Sequence, residues 1–332
     1  MIARLRIRGP IASALLVLSF ALVAAPVAAA EKWDMPMAYA DGNFHTQNGK
    51  LFAEAVGIAT GDKLQIVVHG GGSLFKGNEI KRAVQTGQAP IGERLLSAHQ
   101  NENPIFGVDS VPFLATSFEA SEKLWQIARP TIEKVLLEQN LVLLYSVPWP
   151  PQGLYIKKEI NSVADLKGIK FRSYNNATAR MAELSGMLPV QIEEAELAQA
   201  LATGVAEAFI SSGATGYDRK VWEHVSHFYD VKAWLPRNYV LVNKAAWDAI
   251  DEETRNIVRG IALVAERAGT ARAQQLTGWY VSQLALNGMT VREAEGQLRA
   301  DLETIGDVMA GEWVATAGTD GKAIVERFKA AK

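Results

Sequence analysis

The feature that most constrains this chain is the alternation of short apolar runs with helical stretches along most of its length. Lys32 to Met37 reads as a first strand. Asn43 to Thr60 reads as a helix, with Phe44, Leu51, Phe52, Ala55 and Val56 at helical spacing and Thr60-Gly61-Asp62 as its stop. Leu64 to His69 is the next strand, Gly70-Gly71-Gly72-Ser73 a turn, and Gly77 to Thr86 a helix ended by Gly87. A strand-helix-strand-helix opening argues for an α/β protein rather than segregated classes. The 332 residues are enough for two domains, each with its own core.

Leu141 to Val147 has the composition of a buried strand, and the stiff segment Pro148-Trp149-Pro150-Pro151 follows it. Proline fixes the backbone where few contacts span, so this segment is the expected crossing between domains. A second unit repeats the rhythm: Ile169 to Ser173 extended, Ala177 to Ser185 helical, a short strand from Val190, Glu194 to Thr203 helical, and Glu207 to Ile210 extended. From Lys244 the chain reads as almost wholly helical, with Ala246 to Gly269 and Ala271 to Leu286 long enough to brace both halves. Two α/β lobes with mixed sheets, a hinge cleft and long C-terminal bracing helices make a clamp, and such clefts hold small ligands.

The first thirty residues read as an export signal. Arg4, Arg6 and Arg8 form a basic start, Ile11 to Val23 an apolar run, and Ala28-Ala29-Ala30 a small-residue exit, which places cleavage near Ala30 and the protein in the periplasm. The run is short for a membrane span and is followed by Pro26, and no other run is long and apolar enough to cross a bilayer. Loss of three arginines and no acids leaves 31 basic against 36 acidic residues, a net charge of −5. That balance argues against a nucleic-acid partner. With no cysteine, disulfides and thiolate metal sites are excluded.

Catalytic and cofactor signals are weak. His224 and His227 are spaced for one helix face, yet no acidic third ligand follows in a recognised pattern, and no metal or cofactor is expected. Gly70-Gly71-Gly72-Ser73 lacks the Lys-Ser/Thr of a phosphate loop, so a tight turn allowing close backbone approach is the reading. An exported hydrolase would need a nucleophile, a base and an orienting group; Ser73 and His69 are four apart, with no evident third member. The chain is expected not to be an enzyme.

The most informative stretch is Asn161-Ser162-Val163-Ala164-Asp165-Leu166-Lys167-Gly168-Ile169-Lys170-Phe171-Arg172. A polar turn and short helix lead into a strand ending in arginine, and strand ends in α/β lobes point into the crevice. Arginine there offers a planar fork that pairs bidentately with a carboxylate. From spacing alone Arg172 is equally compatible with a salt bridge inside its lobe.

Ile160 to Arg172, Glu194-Ala195-Glu196-Leu197 through Gly204-Val205-Ala206-Glu207-Ala208, and Asn243-Lys244-Ala245-Ala246-Trp247 together resemble the extracytoplasmic solute-binding proteins of TRAP transporters. The resemblance extends to the Phe44 to Glu54 helix and to Gly87-Gln88-Ala89-Pro90-Ile91-Gly92. It implies a periplasmic receptor that delivers a small organic acid to the small and large TRAP membrane subunits, and it puts Arg172 where the family grips a carboxylate. It also implies lobes of residues 31–149 with 238–277 and 150–237 with 278–332. A family arginine twenty residues earlier falls on Gln152, which is neutral, and a family asparagine falls near Ser211 or Ser212. Both departures favour a monocarboxylate over a dicarboxylate or a sialic-acid-like ligand.

Aromatic residues at loop and lobe-junction positions, namely Phe44, Phe75, Trp149, Tyr174 and Trp234, suit an apolar or aromatic acid, and core packing is the competing role for Phe44 and Trp234. Glu93 and Arg94 lie after the Gly92 turn, as ligand-facing groups or as an ion pair with each other, and Asn175 is a further amide near the site. The receptor of an ATP-driven importer is the competing class, sharing export, two lobes and a cleft.

Overall fold

A computed structural model of the chain describes residues 1–3 and 30–331, so the expected export signal lies almost wholly outside the described residues. The elements, in order, are β1 Glu31–Pro36, α1 Phe44–Thr60, β2 Leu64–His69, α2 Ile80–Gln85, β3 Ile91–Leu95, α3 Phe118–Glu138 and β4 Leu141–Pro148. After a crossing come β5 Gln152–Ile156, β6 Lys170–Ser173, α4 Asn176–Leu184, β7 Leu188–Gln191, α5 Leu197–Ala202, β8 Ala208–Ser212, α6 Gly213–Asp218 and β9 His227–Asp230. The chain then returns through β10 Arg237–Asn243, α7 Lys244–Ala249, α8 Glu252–Leu286, β11 Thr290–Glu293 and α9 Gly296–Ala330.

Among the described residues the strands form three sheets, two in the first lobe linked by one bridge and a mixed six-stranded sheet in the second. In the first lobe β10 runs antiparallel between β3 and β4, while β1 pairs in parallel with β2 and reaches β3 through a Met37–Glu93 bridge. The second lobe has the six-stranded order β11-β9-β5-β8-β6-β7, with β5 antiparallel to β8 and β9, and β6 parallel to β7 and β8. Pro189 sits in β7 without breaking the sheet because β7 is an edge strand, where a missing donor is tolerated. That strand begins two residues before the expected Val190.

Chain passes between the sheets at the proline-rich segment and again at residues 231–236. The two passes are tied together: the Trp149 amide donates to the Pro236 carbonyl at 2.7 Å, Gln152 to Trp234 at 3.0 Å, and Ala233 back to Gln152 at 3.1 Å. Prolines and paired backbone amides therefore make a stiff ribbon directly beneath the cleft.

Helix α1 is capped by the Asn43 side chain and ends at Gly61, whose left-handed φ of 59° closes the last turn. Its buried stripe carries Phe44, Phe52 and Val56, but Leu51, expected on that face, is exposed, since it lies one residue round the helix from Phe52. The break expected at Gly269 does not occur: α8 runs unbroken for 35 residues, about 50 Å. Gly269 serves packing, because a Cβ there would lie 2.6 Å from Val147 Cγ2 on β4. Further along, α8 packs on α6, where Gly213 approaches Tyr280, so one helix lies against both lobes. Helix α9 packs on α3 and α4 and is interrupted at Gly318, whose φ and ψ are 61° and −146°. Among the described residues no helix is long and apolar enough to cross a membrane.

Candidate binding cleft between the lobes

The motif around Arg172 is built as the sequence requires. Ser162 and Asp165 form a reciprocal cap on the short 3-10 helix Val163–Leu166, and Gly168 turns the chain with φ of +78°. Strand β6 then alternates: Phe171 is fully buried in the core and Arg172 faces the other way. Arg172 lines a cleft of about 420 Å3 together with Tyr39, Arg94, Trp149, Gln152, Tyr174, Glu193, Glu194, Ser211, Ser212 and Thr215.

Arg172 is 2% exposed. Its Nε donates to the Ile192 carbonyl at 2.8 Å and its Cζ lies 5.1 Å from the Tyr174 ring centre. Among the described residues it forms no ion pair, and neither terminal nitrogen makes a hydrogen bond. Burial pulls its pKa below the ordinary arginine value, with the charge of Glu194 the largest opposing influence. A guanidinium stays charged all the same, so the cleft holds a buried cation with an open fork.

The other arginines at the cleft are occupied. Arg94, on β3, donates through Nη2 to Glu193 Oε1 at 3.1 Å and through Nη1 to Oε2 at 3.3 Å. Arg219 pairs with Glu194 in the same two-pronged way. The pairing expected between Glu93 and Arg94 is not formed. Neighbours on a strand point to opposite faces, so Glu93 turns inward and accepts from Asn238 Nδ2, with His45 Nδ1 at 3.8 Å. Burial pushes the Glu93 carboxyl up to about 8, against the Asn238 hydrogen bond.

Seven of the twelve expected residues share the cleft lining: Arg172, Trp149, Gln152, Tyr174, Ser211, Ser212 and Arg94. The other five lie outside it. Phe44 packs edge-on to Trp149 with centroids 5.4 Å apart. Trp234 is buried behind Tyr174, donating Nε1 to the Tyr174 hydroxyl at 3.1 Å. Asn175 caps α4 and donates to Ser97 Oγ at 3.0 Å, an interlobe contact. Glu93 supports Trp149 from behind, since Asn238 Oδ1 accepts from Trp149 Nε1 at 2.8 Å. Phe75 packs, partly buried, against the main hydrophobic core.

The glycine turn works indirectly. Gly71 and Gly72 have φ of +67° and +65°, and their amides donate to the Tyr39 and Met37 carbonyls, which positions Tyr39 in the lining. His69 is hydrogen-bonded to Asp34 at 2.8 Å, a partner the sequence had not suggested, and both lie outside the cleft lining with Ser73. His224 follows a short 3-10 turn and His227 opens β9, so they do not share a helix face. Sequence reasoning missed Tyr39, Glu193, Glu194 and Thr215. Glu193 and Glu194 carried a usable signal, two adjacent acids directly after a short apolar strand, but acids at a helix start ordinarily read as a solvated turn.

The chain matches the model of the bacterial extracellular solute-binding proteins, family 7, over residues 37–313. A marine metagenome TRAP solute-binding protein specific for pyroglutamate is 56% identical, with a TM-score of 0.90 over 91% of this chain and 99% of its own. A Bordetella pertussis extracytoplasmic solute receptor binding pyroglutamic acid is 45% identical, with a TM-score of 0.88 over 90% and 99%. A monocarboxylate 2-oxoacid-binding periplasmic protein of Nostoc sp. is 26% identical across 71% of this chain and 66% of its own length, just under two thirds. A two-lobed fold shared with these receptors and a family match across nearly all of the chain beyond the first thirty residues lead to one conclusion: this protein belongs to family 7 of the bacterial extracellular solute-binding proteins, the solute receptors of TRAP transporters.

Proposed function

We propose that the protein is a periplasmic receptor for a small cyclic monocarboxylate, with pyroglutamate as its ligand, and that Arg172 takes the carboxylate. The observation that carries this reading is the buried Arg172 fork, open toward the cleft with no acid of the protein's own paired to it. A buried cation without a partner costs free energy, and an anionic ligand removes that cost. A charge-assisted arginine bond contributes about 1.5–3 kcal/mol net, enough to change an open-to-closed ratio tenfold or more. The pyroglutamate-binding relatives at 56% and 45% identity support the choice of ligand.

Capture proceeds by closure. The ligand docks on Arg172 in the second lobe, and contacts from Trp149, Tyr39 and the first lobe stabilise the shut form. The lobes are taken as residues 31–149 with 238–277 and 150–237 with 278–332. The small and large TRAP membrane subunits receive the closed form, after removal of the leader near Ala30. An aromatic acid, which the ring-rich sequence suggested, is the weaker candidate. Phe44 and Trp234 pack onto Trp149 and Tyr174 rather than lining the cleft, and the lining is rich in polar groups.

Thermal denaturation with L-pyroglutamate, succinate and benzoate tests the reading. Ligand that binds only the native state raises Tm in proportion to RT ln(1 + [L]/Kd). Pyroglutamate is expected to give the largest shift; a larger shift with either of the others overturns the assignment.

A further inference from the structure

The amide of Gln152 has only one possible orientation. Its two ends meet two different groups: one lies 3.0 Å from the Pro150 carbonyl and the other 3.1 Å from the Tyr174 hydroxyl. A carbonyl only accepts, so the end facing Pro150 is the NH2 and the end facing Tyr174 is the oxygen. The other side of Tyr174 agrees with this. Trp234 Nε1 lies 3.1 Å from the Tyr174 hydroxyl and can only donate, so the hydroxyl accepts from Trp234 and keeps its own O–H to donate to Gln152 Oε1. Trp234, Tyr174 and Gln152 are all buried, and the Gln152 backbone is held by the crossing ribbon through Trp234 and Ala233.

One Gln152 N–H is thus spent on Pro150, and among the described residues nothing accepts the second, although Gln152 lines the cleft. Arg172 presents two unspent terminal nitrogens in the same cleft, which match both oxygens of one carboxylate. The Gln152 donor is then left for a different acceptor on the ligand. From this we infer that Gln152 is a specificity-determining residue, a donor fixed in direction that reads the neutral ring carbonyl of the ligand. This inference rests on the proposed function and deepens it. A polar site built for one group rejects analogues lacking it, because the buried donor is left unpaired. Acids of the same ring size without a carbonyl are therefore excluded, and a donor or a positive charge placed at this position is excluded too.

The test is a pair of ligands differing in that carbonyl alone, 3-oxocyclopentanecarboxylate and cyclopentanecarboxylate, titrated calorimetrically beside L-pyroglutamate. The wild-type protein is expected to prefer the oxo acid by about tenfold or more. In Gln152→Glu the acceptor toward Tyr174 is retained and the donor toward the cleft is lost, so the preference should fall below about threefold, and Gln152→Met should do the same without adding charge. Wild type that binds pyroglutamate but does not distinguish the two cyclopentane acids overturns the role of Gln152 and leaves the proposed function standing. An undiminished preference in either folded variant also overturns it. Wild type that fails to bind pyroglutamate overturns the proposed function, and the Gln152 inference falls with it. The wild-type comparison decides the matter by itself if neither variant folds.

Discussion

Arg94 on β3 and Glu193 after β7 meet across the cleft, joining the two lobes through paired contacts of 3.1 and 3.3 Å. The pair is made by the protein's own side chains across the lobes, so it contributes to the stability of the closed state. Asn43 Nδ2 adds a further interlobe bond, donating to Asp218 Oδ2 at 2.7 Å. Arg172 stands in contrast as the cleft cation whose fork the protein leaves open.

Removing the cross-cleft pair should open the receptor. In the double variant Arg94→Met with Glu193→Gln, neither charge is left stranded. The ion pair is worth about 1 kcal/mol, because Glu193 is partly exposed, so ligand affinity should fall about fivefold. Small-angle scattering of the ligand-free variant should give a larger radius of gyration than wild type; identical profiles would show that the pair does not contribute to closure.

Replacing Arg172 by lysine keeps the charge and loses the fork. Lysine is a point donor and cannot meet two carboxylate oxygens in one plane, nor reach the Ile192 carbonyl as Nε does. Calorimetry should show pyroglutamate binding weakened by about 30-fold or more, corresponding to about 2 kcal/mol. Near wild-type affinity in this variant contradicts the role proposed for Arg172.

Glu93 should make stability pH-dependent. In the unfolded chain it ionises near its ordinary 4.5, whereas in the native state burial holds its proton until about 8. The native state binds the extra proton across that window, so its stability declines as pH rises from about 4.5 to about 8 and levels off above. Glu93→Gln removes this decline. Its amide oxygen still accepts from Asn238. Wild type and variant should melt together near pH 4 and diverge by about 4 kcal/mol in the variant's favour at pH 8. A constant difference across that range would mean that Glu93 does not titrate in this way.

Gly269 should not accept a side chain. An alanine Cβ would lie 2.6 Å from Val147 Cγ2, at the place where α8 lies against β4. Gly269→Ala is expected to cost about 1–3 kcal/mol by overpacking, with a fall in Tm of about 2–4 °C per kcal/mol. Adding Val147→Ala should recover part of the loss. Full stability in the single variant would show that the helix can shift away from the sheet.

Local sequence was sufficient wherever one residue's own chemistry decides the backbone. Asn43 and Gly61 bound α1, Gly168 turns the chain before β6, and the prolines after β4 mark the crossing. Composition and pattern likewise determined the α/β class, and the segment ending in Arg172 was legible because capping, turn and strand follow one another within twelve residues. Only the tertiary structure decided what faces what. Whether Gly269 ends a helix or admits a neighbour depends on Val147, more than a hundred residues away. Whether Arg94 is paired by Glu93 or Glu193 depends on strand alternation and on the approach of the second lobe. The open fork of Arg172 and the single orientation of Gln152 were invisible for the same reason: they depend on partners supplied by distant elements, and the spacing of residues along a chain carries no record of which donors have already been used.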